Sequence, residues 1–170
     1  LILEYVAKLD TDEPLDAAEY AHFLSDLSSA HAAVYITDNC GEAVLDKLAL
    51  RVLLERFPHI RWTILVRGQP TLNDLTAKDA TEIGLDALAP VLGNGTAYPG
   101  TVLPRIAPSA RQTLAQADLI IAKGQANFET LHGCGLNIYY LLLCKCAYFT
   151  RRFGVPSLTP MFVSERRVEA

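Results

Sequence analysis

The stretch AVYITDNCGE at residues 33–42 carries most of the information about fold and function in this chain of 170 residues. It opens with a short apolar run typical of a buried β-strand and continues with Asp38 and Asn39. A second strand-like run, WTILV at residues 62–66, is followed after a short loop by Asp74. Side chains just past the carboxyl ends of parallel strands line one shared crevice, where ligands bind. We therefore expect these three polar side chains to lie together.

Strand-like runs alternate with helical patterns from residue 31 onwards. Strands are predicted at 33–37, 62–66, 119–122 and 138–143, with a brief one within 90–95. Helices are predicted at 42–55, at 74–83, from 108 or 109 to 117, and at 148–153. Near-continuous apolar strands that alternate with helices indicate a mostly parallel sheet with helices on both faces. The sequence thus predicts an α/β fold.

Residues 1–30 differ because they carry helical spacing and no strand. Apolar residues recur at positions 1, 5 and 9, and again beyond Pro14 at positions 15, 18, 21 and 24. This spacing predicts two helices. Because Leu1 rather than Met stands first, we interpret the sequence as the later part of a longer protein. We expect the apolar residues near position 1 to pack against the α/β core or against a further helical segment.

Composition narrows the functional classes. The net charge is 15 minus 19, or −4, and no run of Lys and Arg occurs, so we expect no nucleic-acid partner. The longest apolar stretch, 138–144, is far shorter than the roughly 20 residues of a membrane helix, so we expect no membrane association. Four cysteines without a signal-peptide pattern predict free thiols and a cytoplasmic protein. The sequence leaves open whether the protein forms a homo-oligomer.

The polar residues at the strand ends suit a divalent metal ion. Asp38, Asn39 and Asp74 offer hard oxygen donors, which favour Mg²⁺ or Mn²⁺, with Co²⁺ and Ni²⁺ as further candidates. Such a set leaves coordination positions for water and a phosphate. A simpler explanation also exists, because Asp and Asn are favoured at helix N-caps and in turns. Asp46, two turns further along, either supports the site from behind or lies on the solvated surface.

Positive charge is expected at the same edge of the sheet. Lys123 and Gly124 follow the fourth strand, where glycine lets backbone amides approach an anion and lysine supplies a point charge for phosphate. Arg67 follows the second strand and is either a phosphate-binding fork or half of a surface ion pair. Gly41 offers a further backbone contact. Asn127 either contacts the phosphate or caps its helix.

Other chemistries lack their signatures. Neither the dinucleotide-binding GxGxxG, nor the P-loop, nor the GxSxG elbow of serine hydrolases occurs. Phosphatases with an aspartyl nucleophile usually carry a second Asp two residues further on, and Cys40 stands there. The residues therefore favour a metal-assisted reaction on a phosphorylated substrate.

Three motifs, in this order, resemble those of the damage-control phosphatase family, formerly called domain of unknown function 89. They are DNxGExxxD at 38–46, RGxPxxNDxxxxDA at 67–80 and KGxxNFE at 123–129. The resemblance implies a Rossmann-like α/β domain over residues 31–170. It also implies that residues 1–30 are the remainder of an N-terminal helical region.

The resemblance further implies an activity, the hydrolysis of phosphate monoesters of small metabolites. A divalent metal ion would be held by Asp38, Asn39 and Asp74, and Lys123 would face the phosphate. Asp38 and Lys123 are then the catalytic residues, and a covalent role for Asp38 stays open. The residues expected to contact substrate or phosphate are Gly41, Glu42, Arg67, Gly124 and Asn127. Two alternatives remain, a non-catalytic module that binds metal and phosphometabolite, and a carboxyl methyltransferase.

Overall fold

The structure, a computed structural model, describes residues 16–168. Six strands form one sheet in the order β3-β2-β1-β4-β5-β6. The strands are β1 Ala32–Ile36, β2 Arg61–Val66, β3 Val91–Gly93, β4 Leu119–Lys123, β5 Ile138–Cys144 and β6 Thr159–Ser164. The α-helices are α1 Ala17–Ser29, α2 Ala43–Arg56, α3 Ala77–Glu82, α4 Pro108–Ala115, α5 Gln125–Leu131 and α6 Ala147–Phe153. The first predicted N-terminal helix lies outside the described residues.

Helices cover both faces of a mostly parallel sheet. Strands β1 to β5 run parallel, and β6 pairs antiparallel with β5 at the edge. One core cluster contains Phe23 of α1 and Leu50 of α2, and the cluster on the opposite face contains Leu114 of α4 and Phe128 of α5. The central strands β1 and β4 are therefore buried almost throughout. This arrangement confirms the predicted α/β fold.

The order of the sheet reverses at β1. Strands β2 and β3 lie on one side of it, and β4 and β5 lie on the other. At such a switch point the connections leave two neighbouring strands in opposite directions and open a crevice beyond their carboxyl ends. Here the crevice lies where β1 runs into Asp38 and Asn39 and where β4 ends at Lys123.

Helix α2 presents an unexpected face to the sheet. Its apolar residues at helical spacing, Val44, Leu45, Leu48 and Val52, are 53–66% exposed. The buried residues of the helix include a carboxylate, Asp46, which is only 3% exposed. A charged side chain is buried only when it is paired, so this orientation depends on partners from elsewhere in the chain.

Two local features depart from the sequence pattern. The helix predicted from residue 74 begins at Ala77, because Thr76 and Asp79 form a capping box there. Asp74 pairs with Asn39 instead, in an isolated antiparallel bridge. The pattern also misses β6, which contains Pro160, a residue that strands tolerate at a sheet edge. Among the helices of residues 16–168, none has the length and apolarity needed to cross a membrane.

Candidate active site

A short backbone bridge brings the first two strand ends together. The Cys40 N–H donates to the Asn73 carbonyl at 2.7 Å, and the Leu75 N–H donates to the Asp38 carbonyl at 2.8 Å. These bonds flank the bridged pair of Asn39 and Asp74. In an antiparallel ladder a pair placed between such bonds has its side chains especially close and on the same side. Two predicted metal ligands, which lie 35 positions apart in sequence, are thereby neighbours.

Arg67 holds one of these ligands from behind. Its side chain is buried, its Nε donates to Asp74 Oδ2 at 2.8 Å, and its guanidinium also donates to the Gly100 carbonyl. Arg67 was predicted either to bind phosphate or to form an ion pair on the surface. Both predictions are wrong, because the guanidinium is buried and binds protein groups inside the fold. One oxygen of Asp74, Oδ1, keeps no hydrogen bond to any residue within 16–168.

Asp38 lies directly against the backbone of Gly124. A Cβ atom added at Gly124 would overlap the Asp38 carboxylate, and Gly124 has φ of +84°, which disfavours other residues. The Gly124 N–H donates to the Leu141 carbonyl at 2.8 Å. The Gly124 amide is therefore already bonded within the sheet, and the prediction that it contacts a phosphate is wrong. Gly124 makes room for Asp38 instead.

Lys123 is held by two carboxylates. Its Nζ donates to Glu42 Oε2 at 2.6 Å and to Asp46 Oδ1 at 2.9 Å. The Tyr35 hydroxyl also donates to Asp46 Oδ1, at 2.8 Å, and Asn39 Nδ2 donates to Glu42 Oε1 at 2.7 Å. Burial by itself lowers the pKa of Lys123, but Asp46 and Glu42 outweigh burial and raise that pKa above its usual value. The lysine is therefore a fixed cation.

Two further residues that were predicted to contact the phosphate have partners within the protein. Both carboxylate oxygens of Glu42 are engaged, one by Lys123 and one by Asn39. Asn127 is completely buried, and its Nδ2 donates to the Lys123 carbonyl at 2.7 Å and to the Thr37 carbonyl at 3.2 Å. It therefore ties the ends of β1 and β4 together. Asn127 therefore has a positioning role, whereas Glu42 also lines the cavity beside Lys123, so its predicted contact with the substrate stays a prediction.

The crevice carries an excess of negative charge. Burial, together with the nearby carboxylates of Asp74 and Glu42, raises the pKa of Asp38 to about 6 against the opposing effect of Lys123 and Lys145. A raised carboxylate pKa means that the charged form is poorly compensated by the surrounding protein.

The donor set fits a small hard cation. The negative charge of the Asp38 carboxylate is poorly compensated by nearby cations. Asp74 Oδ1 has no hydrogen bond within residues 16–168 and can bind a cation. Asn39 donates a hydrogen bond through its side-chain nitrogen, so its side-chain carbonyl oxygen stays available as a ligand. Over the described part of the chain, no group of three or more His, Cys, Asp or Glu side chains is placed to hold a metal ion. A site here thus relies on the Asn39 carboxamide as its third protein donor.

The structure adds two residues that sequence reasoning missed. Lys145 lines a cavity of about 250 Å³ together with Asp38, Glu42 and Lys123. It follows β5, so the same argument about strand ends could have found it. Tyr35 lies inside β1, where the only signal is that a buried hydroxyl needs a partner.

The raised pKa of Asp38 leads to a prediction about stability. The folded protein without metal keeps a proton on Asp38 up to about pH 6, whereas the unfolded chain loses it near 3.8. Stability therefore falls as pH rises through this window, and the loss persists above it. Asp38→Asn should raise the Tm of the metal-free protein at about pH 8 and leave it nearly unchanged at about pH 4. An equal shift at both pH values in thermal melts would contradict this assignment.

Comparisons with known proteins agree on one family. Residues 3–159 match the family model described as the damage-control phosphatase ARMT1-like domain. The chain is 37% identical over 134 residues to a damage-control phosphatase of Archaeoglobus fulgidus, covering 78% of this chain and 46% of that protein. It is 34% identical over 132 residues to a damage-control phosphatase of Pyrococcus horikoshii, covering 77% and 46%.

A solved structure shows the same fold. The crystal structure of a DUF89 family protein from Pyrococcus horikoshii superposes with a TM-score of 0.85 at 30% sequence identity. The match covers 95% of this chain and 56% of that one. The chain spans about half the length of the curated relatives it matches.

Proposed function

Because the chain belongs to the damage-control phosphatase ARMT1-like domain family, we propose that it hydrolyses phosphate monoesters of small metabolites with the help of a divalent metal ion. One observation carries the proposal. The crevice at the switch point sets two carboxylates and a carboxamide, from Asp38, Asp74 and Asn39, beside the fixed cation of Lys123. Oxygen donors next to a cation suit a metal ion and a phosphate together.

Asp38, Asn39 and Asp74 would hold the metal. When bound, such an ion withdraws charge from the phosphoryl oxygens and lowers the pKa of a bound water. Arg67 keeps Asp74 in place through Oδ2, which leaves Oδ1 without a hydrogen bond to any residue within 16–168. Gly124 allows Asp38 to approach the end of β4.

Lys123 acts on the phosphoryl group. An ammonium group has three donors, and Glu42 and Asp46 occupy two of them. The third is left for a phosphoryl oxygen, where the fixed charge stabilises negative charge that develops during transfer to water. Lys145 supplies a second cation at the rim of the same cavity. The products are an alcohol and inorganic phosphate.

The activity is tested with the full 170-residue chain. We expect turnover of at least one ester from a panel of sugar, cofactor and simple alkyl phosphates when Mg²⁺, Mn²⁺, Co²⁺ or Ni²⁺ is added, and none with EDTA. Asp74→Asn should abolish it, whereas Asp86→Asn, at an exposed position, should not. Metal-dependent binding of esters without turnover of any would overturn the proposal and favour the non-catalytic module.

Metal binding itself should be visible as stabilisation. A ligand that binds only the folded state stabilises it by about 2.7 kcal/mol at a hundredfold excess over its Kd. We expect Mn²⁺ or Mg²⁺ to raise the Tm, and Asp38→Ala or Asp74→Ala to remove the shift. Asn39→Ala should reduce it less, since a neutral donor is lost. If both aspartate variants keep the full shift, the metal lies elsewhere.

A further inference from the structure

The cavity beside Lys123 has two unlike halves. Its charged half is formed by the strand-end residues already described, and its other half is an apolar wall on β5 and β6. We define the apolar wall by the residues Leu141, Leu143 and Pro160. A phosphate held at the charged half would place the alcohol part of an ester against this wall.

The pairing of the strands shows that the wall begins directly at the lysine. In the β4–β5 pairing Lys123 lies beside Leu141, and in the β5–β6 pairing Leu143 lies beside Pro160. Paired residues present their side chains to the same face of a sheet, and alternate residues of one strand do so too. Lys123, Leu141, Leu143 and Pro160 therefore share one face.

Apolar surface continues beyond the wall. A second cavity, of about 310 Å³, is lined by Leu141 as well, together with apolar and aromatic side chains that include Tyr35 and Phe162. Tyr35 connects the two regions, because its ring lines the second cavity while its hydroxyl donates to Asp46, which holds Lys123. An apolar group extending from the charged half would meet apolar surface on leaving the first cavity.

Partners for hydroxyl groups are scarce along this path. The neutral polar side chain that lines the first cavity within residues 16–168 is that of Gln125. Its Nε2 donates to Glu129 at 2.8 Å and its Oε1 accepts from the Lys145 N–H at 3.3 Å. A polyol would leave hydroxyl groups unpaired here, which costs binding free energy, whereas an aliphatic group would not.

We propose that the site selects phosphate monoesters whose alcohol carries an aliphatic arm next to the ester, over phosphorylated sugars and polyols. This selectivity rests on the proposed phosphatase function. The phosphate lies at Lys123 and Lys145, and the arm lies along the apolar wall towards the second cavity. Each methylene that leaves water for such a surface improves binding about fourfold.

Two matched ligand series test this selectivity on the full chain. In calorimetry with metal present, n-alkylphosphonates from methyl to hexyl, which cannot be hydrolysed, should bind about fourfold more tightly per methylene until the arm outgrows the wall. In turnover, hexyl phosphate should have a higher kcat/KM than sorbitol 6-phosphate, which has the same number of carbons. An affinity that does not change with the length of the alkyl chain would overturn the proposal. That result is expected if another segment of the protein or a second copy of the chain fills the cavities.

Variants assign the effect to the wall. Leu143→Gln, which roughly keeps side-chain volume and adds polarity, should flatten the phosphonate series. Leu143→Met, and Leu48→Gln on the exposed face of α2, should keep it. Turnover of esters without preference for the aliphatic arm overturns the selectivity and leaves the phosphatase function standing. A steep phosphonate series without turnover of any ester supports the selectivity and overturns the hydrolysis.

Discussion

Lys123→Ala is expected to lower kcat by about 10²–10³, the usual effect of removing one fixed charge that acts in the transition state. The structure gives the reason, because Glu42 and Asp46 hold Nζ in place within the crevice at 2.6 and 2.9 Å. Steady-state kinetics with the best ester and metal measure the loss. Lys78→Ala, at an exposed ion pair with Glu82, serves as the control and should leave kcat unchanged.

Loss of stability must be separated from loss of catalysis. Without Lys123, the buried Asp46 has no cationic partner among residues 16–168, so Lys123→Ala should also lower the Tm. The double variant Lys123→Ala/Asp46→Asn removes the uncompensated charge and should recover much of that Tm. Its kcat should stay low. Recovery of kcat together with Tm would show that the lysine acts only on the fold.

Gly124→Ala is expected to abolish both the metal-induced Tm shift and turnover. A methyl group at this position would overlap the Asp38 carboxylate and force it out of the crevice. The backbone adds strain, since φ of +84° is costly for alanine. Thermal melts with and without Mn²⁺, together with ester kinetics, measure the two losses.

The chain offers a matched control for the backbone strain. Gly133 has φ of +83°, and a Cβ there would meet no atom within 4 Å. Gly133→Ala should therefore lower the Tm by the strain alone and keep both the metal shift and the activity. Equal effects of the two substitutions would mean that the contact with Asp38 does not matter.

Local sequence patterns were sufficient for the architecture except for the edge strand β6. Short apolar runs that alternate with helical spacing predicted five of the strands, because a strand buried on both faces has to be apolar throughout. Asp38 follows β1 and Asp74 lies in the loop after β2, and these two positions pointed to the crevice. Since parallel strands all end at one edge, Asp38 and Asp74 could be placed together without any knowledge of side-chain contacts.

Only the tertiary structure decided which side chains face the crevice. Arg67 lies in the right place for a phosphate contact, yet it turns inwards because Asp74 and the Gly100 carbonyl satisfy it there. Asn127 begins a helix after β4, yet its amide binds the backbone at the ends of β1 and β4. A residue type and its position in sequence do not report which partner is nearer.

Helix α2 shows the limit of sequence patterns most directly. Spacing marks Val44, Leu48 and Val52 as one apolar stripe, which a pattern alone assigns to the core. The structure exposes that stripe and buries Asp46 together with Ala43 and Leu50. The carboxylate meets Lys123, which is 77 positions away, and the hydroxyl of Tyr35. The sequence by itself determined that a helix forms here. The orientation of that helix depends on the packing of Ala43 and Leu50 in the core and on the ion pair of Asp46, which are contacts between segments that only the folded sheet brings together.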